Sequence, residues 1–569
     1  TGRTFITGTQ ALVRLLLEQA RRDRKSGLNT RGLVSGYPGS PLGGLDHELN
    51  RAKSFLDADG IVFQPAVNEE LAATALWGSQ HIHLYDRPNI DGVFGLWYGK
   101  GPGLDRSLDA IRHANMGGVS KFGGIVLAVG DDATGKSSTL AYQSEQTLIT
   151  AGVPFFYPRS VHDIIVMGIQ AFALSRFAGC CVGLKLVVDT VDTSAIIDLN
   201  KIHPSVETKD TSAGPVYVGK HDAALTRESR LFNLRLPAVT DFQLRNIINH
   251  DISSRSTDAK ITSGKLGIIA VGKAVPEVIE ALTTLGAVDY NDRNIGLMSI
   301  GLPWPIAPKT LVDFASRYDE ILVVEEKRPI VEDQLARAVV NIKNRGVISG
   351  KQCPEGDPLI PQTGELNHHM LCDVIHARAA SHGISLDAVT LSKKHANLPD
   401  IAVRTPWYCA GCPHNSSTKL PNGEITGMGI GCHSISGFLT PDAITNFTQM
   451  GGEGAFWVGR APFSSHRHSF QNMGDGTYAH SGYLGVRAAV SAGVNMTFKI
   501  LYNGAVAMTG GQAVTGGQTP WMISAQLAAE GVGNIAVVTD QPDAFPRSAT
   551  WAKNTKIYHR SDLMLVQNR

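Results

Sequence analysis

The chain has 569 residues, enough at roughly 150 per domain for about three or four domains with cores of their own. Its 52 basic and 51 acidic side chains are interspersed and sum to a formal net charge of +1, so no basic footprint for nucleic acid or anionic lipid is present and a small-molecule substrate is favoured. Seven cysteines are too few for a disulfide scaffold, which points to a reducing cytoplasm and to metal or core roles for the thiols.

The stretch "QALVRLLLEQARRDRKS" reads as an amphipathic helix, with Leu12, Leu15, Leu16 and Ala20 on adjoining turns. No signal-peptide core precedes it and no apolar run approaches the roughly 18 residues that cross a bilayer, so neither export nor a membrane is expected. From Gly32 to about Val191, apolar runs near 32–36, 61–66, 91–97, 124–129, 155–158 and 183–189 alternate with helical periodicity. That rhythm predicts an α/β fold, a doubly wound and mainly parallel sheet covered on both faces. Ligands of such sheets lie at the carboxyl ends of the strands. Here those ends run into "SGYPGSPLGG", "AVNEE", "YGKGPG" and "GDDATGKSS", the first candidates for chemistry.

A less regular stretch follows and ends in the polar "DISSRSTDAKITSGK", read as a linker. Then "KLGIIAVG", a helix from Ala274 to Leu285 and "DEILVVEEKRPIVEDQLARAV" predict a smaller α/β domain. In the last region "GAFWVG", "MTFKILYN" and "NIAVVTD" read as further buried strands. The division expected is 1–215, a connecting segment 216–262, 263–375 and 376–569.

One strand-end loop carries a phosphate-loop pattern: Gly130, four residues, Gly135, Lys136, Ser137. In such a loop the backbone amides wrap a β-phosphate and the lysine reaches the β and γ oxygens. Nothing else in the chain supplies a nucleotide-dependent mechanism, so ATP binding is not expected.

The stretch that decides the functional reading begins at Gly474-Asp475-Gly476 and reaches Asn503 after twenty-six intervening residues. A strand ending at Gly474, a helix crossing back through "GYLGVRAAVSAG" and a parallel strand "MTFKILYN" bring Asp475 and Asn503 to neighbouring strand ends. There a magnesium ion bridging a diphosphate takes their oxygens, with a backbone carbonyl such as that of Ala505, because hard oxygen ligands suit a hard cation. Gly474 and Gly476 leave room for phosphate oxygens beside the backbone and a helix N-terminus. The pattern resembles the thiamine diphosphate motif. That cofactor needs a carboxylate on its aminopyrimidine ring, held in a dry pocket of another α/β domain. Glu69, where "IVFQPAV" runs into a helix start, is the candidate, while Glu70 faces elsewhere.

Three cysteines form the third element: Cys409 and Cys412 in "WYCAGCPHN", and Cys432 in "GIGCHS". Thiolates so spaced suit an iron-sulfur cluster or a zinc ion completed by His414 or His433. Cys412 and His414 are also counted among the cofactor-side groups. Cys180, Cys181, Cys353 and Cys372 read as core thiols. His466, His468 and His480 flank the diphosphate motif, and Glu325 and Glu326 read as a strand-end salt-bridge pair.

Together "SGYPGSPLGG", "NEELAATALWGSQ", "WYGKGPGLDRS", "VVEEKRP", "CAGCPHN", "GIGC" and "QNMGDGTYAHSG" resemble the long-chain indolepyruvate:ferredoxin oxidoreductases, of the 2-oxoacid:ferredoxin oxidoreductase superfamily. The resemblance spans nearly the whole chain and implies a pyrimidine-binding domain, a transketolase-C-like domain and a diphosphate-binding domain, in that order. It implies that Glu69 activates thiamine, that Asp475 and Asn503 hold Mg²⁺, and that Cys409, Cys412 and Cys432 ligate a [4Fe-4S] cluster. Family members carry a fourth ligating cysteine nearer the C-terminus and a further domain, so a remainder of the chain or a second subunit is expected. The implied activity is oxidative decarboxylation of an aromatic 2-oxo acid to the acyl-coenzyme A, with electrons passing through the cluster to ferredoxin, in a homodimer. Tyr37, Ser40 and Lys100, with Asp131, Lys136 and Ser137 of the phosphate-loop look-alike, then line the substrate end. The alternative is a non-oxidative thiamine diphosphate-dependent decarboxylase or synthase whose cysteines are structural or hold zinc.

Overall fold

A computed structural model describes residues 2–208, 216–220, 222–253, 263–287, 294–343, 345–387 and 406–569. The chain divides into two compact units, Thr1–Ala396 and Asn397–Arg569.

The first unit opens with β1 (Arg3–Thr7), which pairs antiparallel with the later β8 (Ser194–Asp198). Between them lie β2 (Thr30–Gly36), β3 (Ile61–Phe63), β4 (Gly92–Lys100), β5 (Ile125–Asp131), β6 (Phe155–Phe156) and β7 (Val182–Val187). These six form one wholly parallel sheet in the order β3-β2-β4-β5-β7-β6. Every residue of β5 and β7 is buried, as near-continuous apolar strands require when both faces are covered. Helices Gly8–Lys25 and Val161–Ala178 contribute Leu12, Leu15, Leu16, Ile164, Ile165 and Phe172 to the core on one face. Helices Glu69–Ser79 and Leu108–Gly117 contribute Ala72, Ala73, Leu76 and Ile111 to the core on the other. The chain steps from β2 outward to β3 and returns on the opposite side as β4, so the order reverses between β2 and β4, the place where open α/β sheets bind ligands.

Helix Val161–Ala178 corrects one expectation, because by length and composition it is apolar enough to cross a membrane. In the fold it is a core helix, packed on Gly8–Lys25. The connecting segment is also more structured than expected. Ala224–Asn246 is a continuous helical run with a π turn at Leu231–Arg235, and Phe242 packs on Phe177 with ring centroids 5.4 Å apart. The fully buried Arg235 guanidinium donates to the carbonyls of Asn115, Met116, Gly117 and Val216, closing the C-terminus of helix Leu108–Gly117, where a cation is favoured. Residues 254–262 of the expected linker lie outside the described residues.

The second sheet of this unit comprises β9 (His250–Asp251), β10 (Gly264–Val271), β11 (Ile295–Ile300), β12 (Tyr318–Val324) and β13 (Val347–Ser349), in the order β13-β12-β10-β11-β9. All pairs are parallel except β9 with β11. The boundary expected at 375/376 falls inside helix His368–Ser381, whose Leu371, Ile375 and Ala379 share a core with residues as far on as Leu386.

In the second unit β14 (Thr426–Met428), β15 (Ile444–Phe447), β16 (Ser469–Gly474) and β17 (Met496–Leu501) form a parallel sheet, β15-β14-β16-β17. Short ladders β18 (Ala505–Val506) with β19 (Gln512–Ala513), and β20 (Ile535–Thr539) with β21 (Thr555–His559), stand apart from it. The expected strand "GAFWVG" is instead helix Ala455–Arg460. Gly454 enters it at φ +85°, and within the helix only Trp457 is buried, its indole donating to the Asn495 carbonyl at 3.0 Å. A short apolar run carries no periodicity long enough to separate one helical turn from a strand.

Candidate functional site

In the first unit the sequence-named residues gather at the carboxyl ends of the parallel strands. Asn68 caps helix Glu69–Ser79 by accepting the Leu71 amide at 3.0 Å, which leaves Glu69 as the first helical residue, buried and in the favourable field of the N-terminus. Trp97 of β4 donates its indole N–H to the Glu69 carbonyl at 3.0 Å. Gly103, in the short helix after β4, backs directly onto the carboxyl group: a Cβ there would lie 2.5 Å from Glu69 Oε1. Glu70 is partly exposed and faces Arg106 at 3.7 Å, so the two adjacent acids have the separate environments expected of them.

Lys100 ends β4, and Gly39 of the loop after β2 lies against its aliphatic stem. Its ammonium donates to Ser138 Oγ at 2.8 Å and to the Ser137 carbonyl at 3.2 Å. Burial pushes the Lys100 pKa down, opposed by the charges of Asp132 and Glu69, which places all three in one electrostatic neighbourhood. Tyr37 is buried beside the end of β4, its amide bonded to the Tyr98 carbonyl at 3.1 Å, and Ser40 is half-buried. Behind them Asp46 and Tyr98 are buried acids that sequence reasoning did not single out; burial raises both, and each also feels the other.

The phosphate-loop look-alike is closed on itself. Asp132 accepts the Lys136 amide at 3.0 Å and the Ser137 amide at 2.6 Å, so the donors that would wrap a phosphate already hold a carboxylate of their own loop. Burial pushes Asp132 up, but these amides, the Ser138 hydroxyl and Lys100 outweigh it and hold the carboxyl below its usual range. No helix follows Lys136 and Ser137; the next begins at Glu145. Of the three residues named here for the substrate, Asp131 is buried within an ion-pair cluster, accepting the Ser144 amide at 2.9 Å and lying 3.6 Å from Lys185. Lys136, with 72% of its side chain exposed, faces Glu365 at 3.8 Å, and Ser137 is exposed. Asp131 therefore supports the loop from below. Glu326 pairs with Lys273 at 3.3 Å, as expected of a salt bridge, but Glu325 accepts the amides of Ile330, Val331 and Glu332 at the start of helix Val331–Val339. Burial nevertheless pushes Glu325 up to about 7.

In the second unit Gly474 is paired in register with Leu501, which sets the loops after β16 and β17 side by side. Asp475, 6% exposed, accepts the amides of Asn503 at 3.1 Å and Gly504 at 2.6 Å on Oδ2 and that of Gly476 at 3.0 Å on Oδ1. Asn503 is exposed, and its Oδ1 accepts the Ala505 amide at 3.0 Å. No atom lies within 4 Å of where a Cβ on Gly474 would stand, and Gly504 adopts φ +71°. Asp475 Oδ1 and Asn503 Oδ1 each accept one amide and keep a lone pair for a hard cation, whereas Asp475 Oδ2 is taken up by two amides, and the floor beside Gly474 is open.

The order of this sheet reverses between β14 and β16, and the two loops that leave those strands carry Cys432 and Asp475. Thr477 Oγ1 ties them by donating to the Ile430 carbonyl at 3.1 Å. His414, two residues past Cys412, is buried; its Nδ1 has no hydrogen-bond partner, and burial lowers its pKa against the opposing charge of Asp475. His433 accepts the Gly429 amide on Nε2 at 3.1 Å, and burial holds it neutral, down to about 4. Burial raises the Cys432 thiol, with further increments from Cys412 and Cys409, so the three cysteines share a neighbourhood. Among the described residues, however, no three His, Cys, Asp or Glu side chains converge as a metal-ligand set. His466 is exposed, His468 lies between Glu424 and Thr497 at 3.1 and 2.9 Å, and His480 is buried in the π turn Tyr478–Gly482. Cys180, Cys181 and Cys372 are buried as expected; Cys353 is half-buried.

Comparison with known proteins adds identity to this geometry. Residues 257–401 match the indolepyruvate oxidoreductase domain model. Over its full length the chain is 25% identical to an indolepyruvate oxidoreductase subunit IorA of Thermococcus kodakarensis, covering 85% of that protein. It is 26% identical over 90% of its length to the IorA subunit of Methanothermobacter marburgensis, covering 76% of it. The chain is thus similar over most of its length to indolepyruvate oxidoreductase subunits, and over residues 257–401 to the domain model of that name. With these similarities it is an oxidoreductase, of mixed α/β fold with mainly parallel sheets. A solved 2-oxoglutarate:ferredoxin oxidoreductase from Magnetococcus marinus aligns with 67% of the chain and 66% of its own, at 15% identity and a TM-score of 0.46.

Proposed function

We propose that this chain is the thiamine diphosphate-dependent subunit of an enzyme that oxidatively decarboxylates an aromatic 2-oxo acid to its acyl-coenzyme A, with ferredoxin as electron acceptor. The observation that carries the reading is the joining of Asp475 to the Asn503 loop at paired ends of parallel strands. The unpartnered Nδ1 of the buried His414 and the open floor at Gly474 suit a diphosphate ester beside it. In this reading 1–215 is the pyrimidine-binding domain, 216–262 a connecting segment, 263–375 the transketolase-C-like domain and 376–569 the diphosphate-binding domain.

Asp475, Asn503 and the Ala505 carbonyl would hold Mg²⁺ with the diphosphate, and the buried His414 would offer a further polar contact to the ester. Glu69, buried at a helix N-terminus, would hold and move a proton at the aminopyrimidine ring. Lys100 supplies the cation for the substrate carboxylate, with Tyr37 and Ser40 beside it. When bound, thiamine diphosphate supplies the carbon nucleophile and the electron sink that decarboxylation of a 2-oxo acid requires. Cys409, Cys412 and Cys432 provide three thiolates for a [4Fe-4S] cluster. They are one short of the usual four. The word "subunit" in the relatives' names supports a second polypeptide alongside a homodimer of this chain, and seven free cysteines suit the cytoplasm.

Analysis of anaerobically purified protein for iron, sulfide, magnesium and thiamine tests the assignment, together with turnover of an aryl pyruvate by the wild type and by Glu69→Ala. Thiamine and magnesium with activity lost in Glu69→Ala are expected; activity retained in that variant overturns the role of Glu69. The second reading is a non-oxidative thiamine diphosphate-dependent decarboxylase or synthase, in which the cysteines are structural or hold zinc. Iron-free, colourless protein that still releases carbon dioxide would establish it.

A further inference from the structure

The segment Asp131–Gln146 forms a strap beside the carboxyl ends of β4 and β5, and two adjacent residues just past β12 hold it near both of its ends. Lys327, just past the end of β12 in "VVEEKRP", is 8% exposed, and its ammonium donates to the Ala133 carbonyl near the start of the strap. Arg328 grips the other end: its amide and Nε both lie 3.2 Å from Gln143 Oε1, Nη2 lies 3.0 Å from Gln146 Oε1, and Gln143 Nε2 returns to the Arg328 carbonyl at 3.3 Å. Lys327 adopts φ +61°, one of three non-glycine residues in the left-handed region among the described residues. Glycine would occupy that conformation freely, so a lysine there is kept at the expense of backbone strain, the kind of outlier from which a function can be argued.

What the strap touches on its inner side gives the grip its consequence. Lys100 reaches up to the Ser137 carbonyl and the Ser138 hydroxyl. The ring of Tyr142 covers Gly101, with 1.9 Å from a Cβ there to its Cδ1, and the Tyr142 hydroxyl bonds to Asp105. Gly101 and Asp105 belong to the same short helix as Gly103, which backs onto the Glu69 carboxyl group. Inside the strap Asp132 ties down the amides of Lys136 and Ser137, which closes this part of the segment on itself.

We propose that Lys327 is a positioning residue for substrate binding. From the end of β12 it sets the height of the strap through the Ala133 carbonyl, and through the strap it places the Lys100 ammonium. The inference rests on the reading of Glu69 and Lys100 given above and deepens it, because that reading assigned the second sheet no part in the reaction.

The test uses the holoenzyme with Lys327→Asn, which removes the ammonium while tolerating a left-handed backbone, and Lys327→Arg, which restores a donor. In Lys327→Asn the KM for an aryl pyruvate rises roughly tenfold or more while kcat and thiamine diphosphate affinity stay within about threefold, and Lys327→Arg recovers much of the KM loss. Independently of activity, limited proteolysis at the strap, whose tip Leu140 is 72% exposed, accelerates about tenfold in Lys327→Asn. Should Lys327→Asn fail to fold, Lys327→Gly, which relieves the backbone entirely, takes its place. Unchanged KM with unchanged cleavage overturns the proposal, and so does a fall in kcat with no change in either. A wild-type protein without decarboxylase activity would reject the functional reading instead, and the cleavage rates would still decide whether Lys327 holds the strap.

Discussion

Asp475 Oδ2 accepts the backbone amide of Asn503 at 3.1 Å, across 28 residues of chain. The acid thus shapes the loop that carries its partner in addition to offering oxygens of its own. Asp475→Ala unpairs the amides of Gly476, Asn503 and Gly504, whereas Asp475→Asn keeps the shape and one accepting oxygen. Isothermal titration should find Mg²⁺-dependent thiamine diphosphate binding weakened by roughly 100-fold in both variants. A lowered Tm is expected mainly for Asp475→Ala. Undiminished affinity in Asp475→Asn would remove this residue from the cation site.

Gly103 has no freedom to grow. A Cβ at that position would stand 2.5 Å from Glu69 Oε1 and 2.7 Å from its Cγ, so Gly103→Ala must displace the carboxyl group or the helix that faces it. Overpacking of this size costs about 1–3 kcal/mol, which shifts Tm by several degrees. The larger effect is on turnover, because a general acid–base group moved out of reach forfeits about 10²–10⁴ in rate. Steady-state decarboxylation alongside thermal melting separates the two, and a Gly103→Ala enzyme with wild-type kcat would show that Glu69 is not held against the reacting ring.

Lys499 on β17 supplies a pH signature. Its ammonium donates to the Lys419 carbonyl at 3.1 Å and to Gln567 Oε1 at 3.0 Å, and burial lowers its pKa to about 7. The folded state then binds fewer protons than the unfolded chain between about pH 7 and the ordinary lysine pKa of about 10.4, so stability rises with pH across that window. Thermal melts from pH 7 to 10 should show a steeper rise in Tm for the wild type than for Lys499→Met. Parallel curves would mean that the ammonium is better solvated than its surroundings indicate.

Much of the architecture could be read in one dimension. The apolar runs near 32–36, 91–97 and 124–129 become β2, β4 and β5, because a strand buried on both faces must be apolar throughout and must stop at glycine or a polar residue. The span from Gly474 to Asn503 likewise has the length of one strand–helix–strand crossover, and the paired ends of β16 and β17 realise it. Where the reading failed, the local signal was ambiguous or misleading. "GAFWVG" is too short for its period to be measured, and the helix of the connecting segment is held by contacts such as Phe242 on Phe177 that leave little trace in the segment itself.

The phosphate-loop pattern shows the same division at the level of chemistry. Spacing sufficed to recognise glycines and a lysine in the right order, and the lack of any companion nucleotide motif sufficed to doubt them. Only the folded loop reveals Asp132 seated on the amides of Lys136 and Ser137. Strand order, helix starts and the separation of Asp475 from Asn503 follow from backbone periodicity, which a linear text records. The closeness of Gly103 to Glu69 and the hold of Lys327 on Ala133, across 194 residues, depend on which distant segments pack together, and no local rule of periodicity or spacing encodes that.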